Sequence, residues 1–189
     1  MSDIFSSFVI TTSRLRLVPF APEHAMALNA IDTEPAVMRF LAYTVPPTIA
    51  ETNAAIERTR LAWETRGYSW WSIIEQATGK IVGSTCVQHV ARDPSNEIEI
   101  AWRLATASTG KGYATEAGKA AARFAFDAVG IDHVIAMALP ENTASLRVMQ
   151  RIGMQYRGIE THYDHSCTTY VLHGGDLASS HLPPELLSR

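Results

Sequence analysis

Two glutamates, a glycine loop and an Asn/Ser pair are the residues of this chain whose types and spacing could do chemistry. Glu97 and Glu99 stand in Glu97-Ile-Glu-Ile-Ala-Trp-Arg-Leu-Ala105, where a strand's period of two puts both carboxylates on one face and Ile98 and Ile100 on the other. A carboxylate so placed could take a proton from a substrate as a general base. Thr106-Ala-Ser-Thr-Gly-Lys-Gly112 follows directly, and then an alanine-rich run from Tyr113. A strand, a glycine loop and a helix in succession aim backbone N–H groups, here those of Ser108, Thr109, Gly110, Lys111, Gly112, Tyr113 and Ala114, at one point beside the positive end of a helix dipole. That arrangement suits a diphosphate. Glycine at 110 and 112 lets a ligand approach the backbone and permits a positive φ. Lys111 either adds charge to the cradle or is a solvated surface lysine.

Other phosphate loops and other chemistries fit less well. A dinucleotide fingerprint wants glycine or alanine three residues after Gly112, where Thr115 stands, and a Walker A loop wants Ser or Thr after Gly-Lys, where Gly112 stands. His162-Tyr-Asp-His165 has two histidines three apart, but on a hairpin and without a third ligand at metal spacing, so no metal is expected. No Gly-x-Ser-x-Gly elbow is present, and neither Cys86 nor Cys167 stands in a nucleophile motif. No covalent enzyme intermediate is therefore expected.

The elements that must position these residues can be read in order. Arg14 to Pro19 alternates as a strand, Pro22 opens a helix to about Ile31, and Thr33 is expected to cap a short second helix. Thr48-Ile-Ala-Glu51 is a capping box that opens a helix to about Arg66, with Gly67 as its stop. Residues 68–76, 81–90 and 97–105 read as a meander turned at Ala77-Thr-Gly-Lys80 and Arg92-Asp-Pro-Ser-Asn96. A helix from about Lys111 to Val129 ends at Gly130, and an apolar strand at 133–139 leads into a helix with Asn142 at its start. Strands at about 155–162 and 167–173 complete a mixed sheet. One domain over 1–175 with a loose tail at 176–189 is expected.

These segments carry a resemblance. Ala107-Ser-Thr-Gly110-Lys-Gly112-Tyr-Ala-Thr-Glu-Ala117 is close to the Gly-x-Gly-Tyr-Ala-Thr-Glu-Ala form of the GNAT superfamily of acyl-CoA N-acyltransferases, in its RimJ/RimL-like branch of ribosomal-protein acetyltransferases. Asn142-Thr-Ala-Ser145 followed by Arg151-Ile-Gly153-Met154 is similar to the branch's Asn-x-x-Ser helix, and Thr12-Ser-Arg14-Leu-Arg-Leu17 looks like its opening strand. The resemblance extends over about residues 11–173. It implies an α/β fold with a mostly antiparallel sheet of about seven strands, splayed near a bulge between the fourth and fifth, at 97–105 and 133–139. It implies acetyl-CoA as co-substrate, its pantetheine arm bonded by the backbones of Trp102, Arg103 and Leu104, its diphosphate by the loop at 108–114, with Asn142 near by. Glu99 falls where relatives often carry the base or water-orienter, and Glu97 is the alternative. A charged residue that only solvates the strand, or an amine that arrives neutral, is the remaining reading. Relatives often place a tyrosine acid seven residues after the asparagine; Met149 is there, so Ser145 is the remaining donor for the departing thiolate, though Asn and Ser also suit any helix start. Where the family has Gln or Arg this chain has Ala107, which removes one side-chain contact. Tyr43, Tyr68, Trp70 and Trp71 flank the region where the family builds its acceptor pocket.

Composition agrees. The chain has 189 residues, 47% hydrophobic, with a net charge of -3, enough to bury a core and without the basic excess that would hold nucleic acid or an anionic membrane. Two cysteines, no signal pattern and no apolar run near the roughly 18 to 20 residues of a bilayer span point to the cytoplasm. The expected activity is N-acetyl transfer to a primary amine of a small molecule or a protein N-terminus. A non-catalytic acyl-CoA-binding or sensing module is the alternative, and a homodimer is compatible with the sequence.

Overall fold

The structure, a computed structural model, describes residues 4–41 and 45–177. A single sheet of eight strands organises them, in the order β1-β2-β3-β4-β5-β6-β8-β7. The strands are β1 (Ile10–Thr11), β2 (Leu15–Pro19), β3 (Trp70–Glu75), β4 (Ile81–His89), β5 (Ile98–Leu104), β6 (His133–Ala138), β7 (Gln155–His162) and β8 (His165–His173). The helices are α1 (Ala25–Asp32), α2 (Pro35–Met38), α3 (Ile49–Arg66), α4 (Tyr113–Phe124) and α5 (Thr143–Ile152). The strand beyond the expected seven is β1, two residues paired with β2 through Ile10↔Leu17. It is too short to show alternation in the sequence.

Local chemistry explains most of the ends. Thr48 caps α3 as a reciprocal box: its hydroxyl accepts from the Glu51 N–H at 3.2 Å, and its own N–H donates to Glu51 Oε2 at 2.7 Å. Thr33 does not cap α2 as expected. It closes α1, its N–H bonded to Asn29 O, and α2 starts from Glu34 with Pro35 at its first position. The long helix expected from 111 to 129 begins at Tyr113, stays regular to Phe124, and continues as a π turn over Ala125–Val129.

The core is built on aromatic rings and small residues. Trp63 of α3 meets Trp71 of β3 edge-on at 4.7 Å, and Trp71 meets Phe124 of α4 at 5.1 Å while its indole N–H donates to Phe8 O. Ala117, Ala121 and Ala122 are fully buried, so α4 rides close to the sheet. Gly118 allows this: a Cβ there would lie 2.7 Å from Ile152 Cδ1 and 3.2 Å from the Trp102 ring. The helix carrying the glycine loop is thereby pressed onto β5 and α5 at once.

The sheet opens between β5 and β6. All neighbours are antiparallel except β5 and β6, which are parallel and in register only at Glu99↔Ile135. Beyond that pair the two strands part as a fork. The bulge expected near the splay is absent: β5 pairs with β4 unbroken from His89↔Ile98 to Gly83↔Leu104, and β6 pairs with β8 unbroken from His133↔His173 to Ala138↔Thr168. Register shifts fall instead at Ile73/Ile74 and Tyr156/Gly158. The splay comes from β6 diverging. Among the described residues no helix is long and apolar enough to cross a membrane.

Candidate active site

At the root of the fork the structure separates the two carboxylates. Glu99 is 3% exposed. Its Oε1 accepts from the Tyr163 hydroxyl at 2.5 Å and from Gln88 Nε2 at 2.7 Å. Gln88 is itself oriented by the Trp70 indole N–H, which donates to Gln88 Oε1 at 2.8 Å. Burial pushes the Glu99 carboxyl above the ordinary carboxylate range, and the bonds from Tyr163 and Gln88 pull against it. Glu97 shares the face by parity but lies at the rim. Arg157 grips it at 2.7 and 3.0 Å and His133 at 2.9 Å, and these bonds hold its carboxyl low. A carboxylate so held is a poorer proton acceptor than a free one. Of the two candidates, Glu99 alone has the environment of a base.

Backbone direction along β5 decides which groups face the fork. Val90 N–H donates to Glu97 O at 3.0 Å and Ala105 N–H to Val82 O at 2.9 Å, so the odd-numbered residues of β5 turn their main chain to β4. The N–H and C=O of Trp102 and Leu104 therefore point into the fork, past the last pair with β6. Arg103 corrects the sequence expectation: its main chain is engaged by Ser84 on β4 and cannot line the fork. Its side chain stacks over Trp70 at 4.7 Å and pairs with Asp32 at 2.7 Å.

The glycine loop also needs one correction. Ser108 N–H bonds Ala105 O at 2.8 Å and Thr109 N–H bonds Thr106 O at 3.2 Å, closing a 3-10 turn in which Ala107 is exposed. Those two donors are therefore committed within the loop. The N–H groups of Gly110, Lys111, Gly112, Tyr113 and Ala114 have no partner among the described residues, and both glycines sit at positive φ, 76° and 82°. Lys111 is exposed. The loop is braced from behind. Arg14 donates to Lys111 O at 2.8 Å and to Glu116 Oε2 at 2.8 Å, and Glu116 also accepts from Thr12 at 2.6 Å and from Ser13 at 3.0 Å. Burial raises the Glu116 carboxyl, but these bonds outweigh it and hold it low. Tyr113 is buried, and its hydroxyl donates to Glu75. The opening strand and the helix N-terminus thus form one frame behind the free N–H groups.

Past β6 lies the third feature. Asn142 Oδ1 accepts from Ser145 N–H at 3.2 Å, so the asparagine caps α5. Its amide NH2 and the half-buried Ser145 hydroxyl have no protein partner among the described residues. Met149, in the place of the family's tyrosine, is 1% exposed in the core. Of the aromatic residues expected at an acceptor pocket, Trp71 is fully buried core, Trp70 and Tyr68 are half-buried, and Tyr43 lies outside the described residues.

Sequence reasoning missed Tyr163 and Gln88. The segment His162-Tyr-Asp-His165 is a two-residue hairpin turn, with Tyr163 and Asp164 both at positive φ and His162 paired with His165. Tyr-Asp lacks the usual glycine of such turns, and nothing local shows that the turn reaches β5. Among the described residues no group of three His, Cys, Asp or Glu could hold a metal.

Comparison with known proteins follows the same lines. Residues 14–155 match the acetyltransferase (GNAT) domain family. A protein of Aspergillus fumigatus named FsC-acetyl coenzyme A-N(2)-transacetylase is 30% identical over an alignment of 162 positions that covers 81% of this chain. The chain spans 66% of that relative's length. Among solved structures, an acetyltransferase from Agrobacterium tumefaciens is similar at a TM-score of 0.75 and 25% identity, over 87% of this chain and 94% of that one. RimL, a ribosomal-protein α-N-acetyltransferase in complex with coenzyme A, is similar at 0.74 and 19%, over 87% and 97% of the two chains.

Proposed function

The chain belongs to the GNAT acetyltransferase family, and from that premise we propose that it transfers an acetyl group from acetyl-CoA directly to a primary amine of a small molecule or a protein N-terminus. The observation that carries the reading is the fork between β5 and β6, rooted at a buried carboxylate held above its ordinary acidity range. An extended pantetheine arm fits the fork as a missing strand, bonding the main chain of Trp102 and Leu104. The unpaired N–H groups of residues 110–114 receive the diphosphate, and the positive φ of Gly110 and Gly112 shapes that surface.

The chemistry follows from these positions. Glu99 takes a proton from the acceptor ammonium, directly or through water, and the neutral amine attacks the thioester carbonyl. A main-chain N–H of Trp102 or Leu104 holds the developing oxyanion, a contact typically worth about 3 to 4 kcal/mol. The carbon–sulfur bond then breaks, and as the thiolate leaves the nitrogen gives up its second proton, relayed to the sulfur through the Ser145 hydroxyl. With a thiol pKa of about 8.5, that last proton helps rather than decides.

Release of CoA thiol, assayed with acetyl-CoA and a panel of amines and N-terminal peptides, tests the reading. Turnover with at least one class is expected, together with stabilisation of about 2.7 kcal/mol at acetyl-CoA concentrations 100 times the dissociation constant. Stabilisation without thiol release from any amine would mark a non-catalytic acyl-CoA-binding module. No stabilisation at all would remove the cofactor assignment.

Ser145→Ala separates acid from cap. The cap is the Asn142 side chain, so the variant is expected to slow turnover while acetyl-CoA affinity and melting temperature hold. Acyl donors with more acidic thiols are expected to restore its rate. Failure of that rescue, with a clear fall in melting temperature, makes Ser145 structural and leaves water as the donor.

A further inference from the structure

We infer that Tyr163, at the tip of the β7–β8 hairpin, acts with Gln88 as a positioning residue for Glu99: both donate to the same carboxylate oxygen, Oε1, so that Oε2 is the atom that receives the acceptor's proton. The inference rests on the reading of Glu99 as the base.

The geometry is particular to this pair of donors. The Tyr163 hydroxyl lies 2.5 Å and Gln88 Nε2 lies 2.7 Å from Oε1, and Oε2 has no protein donor among the described residues. Each donor is itself fixed. Gln88 is turned by the Trp70 indole, and the Tyr163 oxygen accepts the Ala91 N–H at 3.1 Å. Tyr163 belongs to a turn and is 38% exposed, yet its hydroxyl reaches a carboxylate that is only 3% exposed. Its backbone stands at φ 52°, a region that bulky side chains rarely adopt, and Ala91 opposite stands at φ 54°. Arg157 on β7 clasps Glu97, just before β5, so the hairpin is tied to that strand at a second point. Uncommon backbone on both sides of one hydrogen-bonded carboxylate is what an over-determined functional geometry looks like.

The consequence is both orientation and charge. A carboxylate held through one oxygen cannot rotate, which leaves the other aimed at whatever enters the fork. Two donors to the ionised form also oppose the rise that burial imposes on the Glu99 carboxyl. The titratable groups that face Glu99 are few. They are Tyr163 itself, His162 at the end of β7 and Cys86 on β4, whose thiol burial pushes far up and keeps neutral; β6 presents Ile135. Removal of one donor therefore leaves the other donor and His162 as the groups that favour the ionised form.

Two measurements on Tyr163→Phe test this in the full chain. One is the titration of the Glu99 carboxyl, followed by carbon NMR in the free protein. The other is the pH profile of CoA-thiol release with acetyl-CoA and the fastest amine of the panel. The Glu99 pKa and the acid limb of the profile are both expected to rise by about one unit, with roughly a 10-fold loss of rate on that limb. Tyr170→Phe, whose hydroxyl bonds Gln150 away from this carboxylate, is expected to move neither. Gln88→Leu removes the other donor and is expected to shift Glu99 in the same direction, so the proposal stays testable if the hairpin variant does not fold. An active protein whose Glu99 titration and acid limb ignore Tyr163→Phe overturns this proposal alone. A wild-type protein that acetylates no amine overturns the reading of Glu99 as base, and this proposal with it.

Discussion

Glu99→Gln is expected to lower turnover about 100-fold or more near neutral pH, the largest effect of any single substitution at the site. The amide keeps the shape and can still accept from Tyr163, but it cannot take a proton. The loss is expected to shrink as pH rises towards the amine's own pKa, because the acceptor then arrives neutral and needs no base. Equal loss at every pH would mean that Glu99 only positions the substrate. Stability supplies a second, opposite readout. The folded-state pKa of Glu99 is raised by burial, so its contribution to stability is fully present below the ordinary carboxylate pKa and is lost as pH rises through the raised value. At pH 7 the wild type therefore carries the cost of a buried charge that the glutamine variant lacks. Glu99→Gln is expected to melt no lower than wild type at pH 7, and to lose any advantage as pH falls through the carboxylate range. A variant that is inactive because it has unfolded would show the reverse.

Gly112→Val is expected to abolish the stabilisation that acetyl-CoA confers. Gly112 is the N-cap of α4 at φ 82°, a conformation that costs a β-branched residue on the order of 1 to 3 kcal/mol. Its Cβ would stand 3.4 Å from Arg14 Nη2, against the guanidinium that holds Lys111 O and Glu116. The substitution thus strains the backbone that turns residues 110–114 and crowds the Arg14 brace behind the loop. A folded variant with an unchanged melting point in apo form and full acetyl-CoA stabilisation would remove the loop from the cofactor site. Gly110→Ala is the milder comparison, since nothing lies within 4 Å of a Cβ there, and it is expected to retain part of the gain.

Much of this site could be read from residue order. The capping box at Thr48, the glycine loop into α4 and the Asn142 cap are local signals, set by hydrogen bonds that close within a few residues. Alternation along 97–105 was enough to place Glu97 and Glu99 on one face. It could not tell them apart, because parity carries no information about depth. Glu97 meets Arg157 and His133 from distant segments, while Glu99 is covered by a hairpin that arrives 64 residues later. The same limit explains Arg103. Which edge of β5 faces the fork depends on where β4 bonds it, and that register is a property of the pair.

The sequence by itself determined the kinds of element, their order, the loop that can hold a diphosphate and the carboxylates available as bases, since propensity, capping and periodicity act over a few residues. Only the tertiary structure decided that β6 leaves β5 after one pair, that Trp102 and Leu104 rather than Arg103 face the gap, and that Tyr163 and Gln88 converge on one oxygen of Glu99. Those outcomes depend on contacts between segments far apart in the chain, where sheet register and burial set the direction of each main-chain group and the charge state of each side chain.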